Sequence, residues 1–98
     1  MKGSNRLRIE TLRIDAYTAT MPEVFRQDGY VFFFYSNEGS EPMHIHVRRG
    51  GGFAKFWIEP LELDHAHGMK TAELARAEEL VAQHVDEIGR KWNEVFGA

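Results

Sequence analysis

The sequence predicts an α+β domain: an antiparallel sheet of four or five strands with one long C-terminal helix packed across one face. Three observations carry this. Two alternating stretches flank a glycine turn, an aromatic run precedes them, and an apolar stripe with helical spacing follows. A chain of 98 residues, 43 % hydrophobic and 28 % charged, suits a single small domain with a packed core.

In chain order, residues 6–14 alternate apolar and polar with one slip between Glu10 and Thr11, the pattern of a strand with a bulge. Residues 1–20 are therefore expected to form an N-terminal extension with one strand, and residues 21–98 the single domain. Pro22 favours an extended Met21 and begins a short extended piece over Glu23–Arg26. Asp28-Gly29 reads as a tight turn into Tyr30-Val-Phe-Phe-Phe-Tyr35. That run is aromatic on both parities, so it predicts a central strand covered on both sides.

After the turn-rich loop Asn37–Pro42, Met43–Arg48 alternates strictly. Met43, Ile45 and Val47 share one face; His44, His46 and Arg48 share the other. A two-residue turn at Gly50-Gly51 would set Val47 opposite Ala54, Ile45 opposite Phe56 and Met43 opposite Ile58. It would also set His46 opposite Lys55, His44 opposite Trp57 and Arg48 opposite Phe53. A slip of one residue mixes the faces and buries charge. Pro60 ends the strand, Leu61–Leu63 reads as a further short one, and His65-Ala-His67 is expected in a loop.

Gly68 and Thr71 bracket a helix start, with Glu73 near its positive end. Leu74, Ala77, Val81, Val85, Ile88, Trp92 and Val95 recur at intervals of three and four, which predicts one helix from about Thr71 to Phe96. Gly89 within it marks close packing or a slight bend. Trp92 and Phe96 are expected in the core.

The composition narrows the chemistry. The chain has no cysteine, so disulfides, thiolate metal sites and cysteine nucleophiles are excluded, and any metal or acid/base chemistry falls to carboxylates and the five histidines. The longest apolar run has six residues where a membrane helix needs about 20, so a cytoplasmic protein without membrane contact is expected. The net charge of −3 divides as +2 over residues 1–20, −2 over 21–70 and −3 over 71–98, which argues against a duplex DNA footprint.

His44 and His46 project from one strand face and can converge on a divalent transition metal, with the remaining ligand sought among Glu59, His65, His67 and His84. The same face also suits chemistry without metal. His44, His46 and Lys55 are candidate catalytic groups, with Arg48 and Lys55 meeting phosphate and Trp57 offering a stacking plane for a base of RNA. The bland alternative is a cation–aromatic ladder on a solvated sheet face. His84 lies inside the helical apolar stripe, where a core imidazole bonded to a backbone carbonyl or tyrosine hydroxyl is the commoner arrangement. If the helix covers the His44/His46 face, His84 becomes a third catalytic member; if it covers the Met43/Ile45/Val47 face, the three cannot meet. Gly50-Gly-Gly52 lacks the strand-to-helix setting of a phosphate loop.

Met21-Pro-Glu-Val-Phe-Arg26, Gly29-Tyr-Val-Phe-Phe-Phe-Tyr-Ser-Asn-Glu-Gly39, Glu41-Pro-Met-His-Ile-His-Val47 and Ala54-Lys-Phe-Trp57 together resemble the DUF4160 family of small bacterial proteins, over about residues 21–97. Many relatives start at the equivalent of Met21, so the resemblance marks residues 1–20 as an extension. It also implies a component of a toxin–antitoxin-like module of two proteins, hence a protein partner and RNA as a target. His44, His46, Lys55, Trp57 and His84 fall on motif positions of the family. Met43 departs from it where a second proline is usual, as does His65-Ala-His67 where an asparagine is expected. The two-sided aromatic strand leaves an apolar surface for the extension, a partner protein or a second copy in a homodimer.

Overall fold

The structure, a computed structural model, describes residues 21–97; the strand expected over residues 6–14 lies outside them. Five strands, β1 (Glu23–Gln27), β2 (Tyr30–Phe33), β3 (His44–Arg49), β4 (Gly52–Trp57) and β5 (Glu62–His67), form one antiparallel sheet in sequence order. Two helices follow, α1 (Thr71–Gln83) and α2 (Val85–Phe96). The aromatic β2 is internal, paired with β1 on one side and with β3, the middle strand, on the other.

Each hairpin forms where the turn residues permit it. Asp28 and Gly29 both take left-handed backbone angles, φ 55° and 83°, which match the right-handed twist of the flanking strands. Gly50 does the same at φ 57°, and the β3–β4 pairing is the one the face matching predicts: Val47 opposite Ala54, Ile45 opposite Phe56, His46 opposite Lys55, His44 opposite Trp57. The ladder runs one step further through the Ile58 N–H, which donates to the Met43 carbonyl.

His65-Ala-His67 corrects an expectation. It belongs to β5, an edge strand whose six residues are all exposed, and not to a loop. Its end is pinned by contact between glycines, since a Cβ on Gly52 would collide with the Gly68 carbonyl.

The helices pack on the Ile45/Val47 face. Ala77, Leu80, Val81, Ile88 and Trp92 join Tyr30, Phe32, Phe34, Ile45, Val47, Ala54, Phe56 and Ile58 in one core. α1 opens with the Glu73 carboxylate accepting the Lys70 N–H, and the Tyr30 hydroxyl donates to the Glu73 carbonyl, tying helix to sheet. Among the described residues, no helix is long and apolar enough to cross a membrane.

The single long helix is the second correction. A straight helix over residues 71–96 would be about 39 Å long, about twice the ~20 Å width of a five-strand sheet. The chain breaks at His84, not at Gly89. The His84 N–H turns to the Val81 carbonyl, and its ring Nδ1 donates to the Leu80 carbonyl at 2.8 Å, supplying the bond that its backbone would have made in a continuous helix. The ring also stacks on Phe25 of β1, with centroids 3.8 Å apart. A Cβ on Gly89 would meet nothing within 4 Å, so close packing does not explain that glycine.

Candidate functional site

With the helices on one face, the other carries the candidate side chains. Cross-strand pairing lays out one row of Phe33, His46, Lys55 and His65, and beside it a row of Val31, Arg48, Phe53 and His67. Phe33 is nearly buried beneath Arg48, whose guanidinium lies 5.4 Å from the ring centroid, and beside His46 and Tyr35.

His44, the first residue of β3, is fully buried rather than solvated. Its ring meets Trp57 and Trp92 edge-on at 5.4 and 5.3 Å and lies perpendicular to His46 at 5.1 Å. The loop between β2 and β3 closes over it. That loop turns through bonds from the Glu38 N–H to the Tyr35 carbonyl and from the Glu41 N–H to the Glu38 carbonyl. Gly39 rests so closely on the Phe96 ring of α2 that an added Cβ would lie 2.7 Å from Cδ1.

This closure carries Glu38 onto both histidines. Its Oε1 lies 2.9 Å from His44 Nε2, and His46 Nε2 lies 2.8 and 2.9 Å from Oε1 and Oε2. The ligand atoms of Glu38, His44 and His46 all fall within 4.8 Å of one another. His44 Nδ1 lies 2.9 Å from the Pro42 carbonyl, which can only accept, so Nδ1 carries a proton and Nε2 is the ring atom that faces Glu38. The Nε2–Oε1 approach is short but out of line for a hydrogen bond, which leaves Nε2 a buried nitrogen without a bonded partner.

Burial opposes the charge on Glu38, but the nearby His44 and the charge and hydrogen bond of His46 outweigh it and hold the carboxyl below its ordinary value. Burial pushes His46 below the usual imidazole value, against the pull of Glu38 and with help from the charge of Lys55. Lys55 sits beside this pair, its Nζ 3.1 Å from Glu41 and 4.3 Å from the Trp57 centroid. A His46 that is neutral near pH 7 can exchange a proton or bind a metal, and Lys55 supplies a fixed positive charge.

The structure thus brings His44, His46, Lys55 and Trp57 together, with Arg48 in the adjoining row. His84 is not among them: it rests on β1, two strands from β3. Glu59, expected as a metal ligand, lines a cavity beside Trp57 instead. Glu38 takes the third place, although in sequence it is one of two acids in a turn-rich loop, indistinguishable from a solvated carboxylate. The one available clue is that both acids lie just before the His-x-His pair.

The model of a domain of unknown function, DUF4160, matches residues 29–93, a span that contains Glu38, His44, His46, Lys55 and Trp57. The chain belongs to the DUF4160 family. No curated protein and no solved structure is significantly similar to it. The DUF4160 match begins at the Asp28-Gly29 turn and ends in the last turns of α2, so it covers four strands and nearly all of the helical layer.

Proposed function

We propose that this DUF4160 protein binds a divalent transition-metal ion through His44 Nε2, His46 Nε2 and a Glu38 carboxylate oxygen. The observation that carries the reading is His44 Nε2, a buried nitrogen without a bonded partner although a carboxylate oxygen lies 2.9 Å away, on a ring oriented by the Pro42 carbonyl. In the neutral Nδ1–H tautomer of His44, the Nε2 lone pair and a carboxylate oxygen 2.9 Å away repel unless a cation lies beside them. A carbonyl on the far ring nitrogen is also the usual orienting partner of a metal-bound histidine.

The spacing suits an ion. With metal–ligand bonds of about 2.0–2.1 Å, neighbouring ligands are separated by about 2.9 Å at right angles and about 3.4 Å in a tetrahedron. The observed 2.8–2.9 Å from Glu38 to each histidine therefore requires adjustments of about half an ångström or less at those two contacts. Two imidazoles and one carboxylate leave coordination positions for water or a substrate, the arrangement of reactive rather than purely structural centres. Titration with Zn, Mn, Fe(II), Ni and Cu tests it. One of these ions should bind tightly at one equivalent, and His44→Ala, His46→Ala or Glu38→Gln should weaken it. Absence of tight binding, or equal binding by all three variants, would sink the reading.

The exposed face favours a second reading. Arg48 and Phe53, which is 43 % exposed, lie beside the row of Phe33, His46, Lys55 and His65, so cations alternate with ring surfaces as on platforms for single-stranded nucleic acid. In this reading the face takes RNA as part of a two-protein module. Fluorescence polarisation with a labelled single strand should show binding weakened by Phe53→Ala and Arg48→Ala; unchanged polarisation across the series counts against it.

A further inference from the structure

Both tryptophans of the chain line one cavity of about 530 Å³, within the range of small-ligand sites. Its apolar walls are Trp57 and Trp92 with Met43 and Pro60, and it also carries the carboxylates of Glu59 and Glu62. No lysine or arginine lines it, and among the described residues neither carboxylate has a salt-bridge partner.

The tryptophan walls are set in advance. The Trp57 indole N–H donates to Asp64 at 3.0 Å, and Trp92 is wedged edge-on against Phe34 and tilted on Phe96. The buried His44 ring touches both indoles and keeps them apart. Lys55 already lies over the Trp57 ring yet is not a lining residue, so its ammonium stands outside the cavity. A ligand would meet aromatic walls that need no reordering and two acids without counter-charges.

We propose that this cavity binds an organic cation with an apolar body, its ammonium or guanidinium group held by Glu59, Glu62 and the indole of Trp57. That chemistry belongs equally to a free amine and to an arginine side chain in a peptide. Binding does not depend on a metal at Glu38, His44 and His46.

The two indole N–H resonances report on the site in the full chain. Choline is titrated against its neutral isostere 3,3-dimethylbutan-1-ol, and N-acetyl-arginine amide forms the peptide arm. Choline or the arginine probe should shift both resonances saturably, and whichever binds more tightly identifies the source. The neutral isostere should bind at least about tenfold more weakly than choline. Glu59→Gln with Glu62→Gln should weaken the cation by about tenfold or more, and the single variants, at exposed positions, carry the same test if the pair disturbs folding. Addition of EDTA should leave the titration unchanged, which separates this site from the metal reading. An isostere that matches choline, an unaffected glutamine variant, or no saturable shift with either cation overturns the proposal.

Discussion

Gly39→Ala tests whether the Phe96 ring holds the loop that delivers Glu38. The new Cβ would lie 2.7 Å from Phe96 Cδ1, 3.1 Å from Cγ and 3.2 Å from Cβ, where ordinary contact begins at 3.4 Å. Three atoms of one side chain oppose it, and that ring is itself packed on Trp92 with centroids 4.3 Å apart. The loop must therefore retreat by about 0.7 Å, at the cost of an overpacked site, about 1–3 kcal/mol. Glu38 is the adjacent residue, and a displacement of that size would stretch its 2.8 Å contact with His46 to the limit of a hydrogen bond. Metal affinity should fall by about 10- to 100-fold, as for other losses of a ligand's support. Urea denaturation and a competitive metal titration measure the two effects. Phe96→Ala alone removes the ring on which the loop rests and should lower affinity in the same direction. Unchanged affinity in Gly39→Ala or in Phe96→Ala would refute the proposed clamp.

Gly89→Ala places a methyl in open space within α2 and should stabilise the protein by up to about 1 kcal/mol, a rise of about 4–8 °C in Tm per kcal/mol for a domain of this size. His84→Leu removes the donor to the Leu80 carbonyl and should cost about 1–3 kcal/mol in denaturant titrations, while metal affinity stays at the parent value; a loss of affinity would return His84 to the site. In the metal-free protein the neutral His46 donates its Nε2–H to Glu38, so metal binding at Nε2 moves that proton to Nδ1 and should release little or no net proton at neutral pH, seen with an indicator in weak buffer. Both His46 and Glu38 are held below their ordinary values of 6.5 and 4.5, so the unfolded chain binds more protons as pH falls. Their contributions to metal-free stability should be present above those values and lost in turn below them, His46 first; a parent-like acid limb in His46→Gln would contradict the assignment.

The sheet was legible because its strands obey face matching. Val47, Ile45 and Met43 have apolar counterparts at Ala54, Phe56 and Ile58 in one pairing only, and Gly50 supplies the turn that this pairing requires. The histidines of β5 were hidden because a strand exposed on both faces has no apolar alternation to betray it. The helix break was hidden for a different reason: the stripe from Leu74 to Val95 keeps its period through His84, and only the side-chain bond to Leu80 shows that the backbone ladder is interrupted. At the candidate site, His44, His46, Lys55 and Trp57 could be grouped from strand parity alone. Glu38 could not, because its position depends on how an irregular loop packs against Phe96, a contact between residues 57 positions apart.

The exposure of β5 on both faces has a thermodynamic consequence. A strand held by its ladder to β4 and pinned at one end, but burying no residue of its own, can detach without opening the core. Its Asp64 fixes the Trp57 indole and its Glu62 lines the cavity, so detachment would dismantle one wall of that cavity while the helical layer stays folded. The tryptophan cavity is therefore built from two units of unequal stability, a durable half carrying Trp92 and a labile half carrying Glu62. Ligand occupancy would slow amide hydrogen exchange along β5 before it changed the global unfolding free energy.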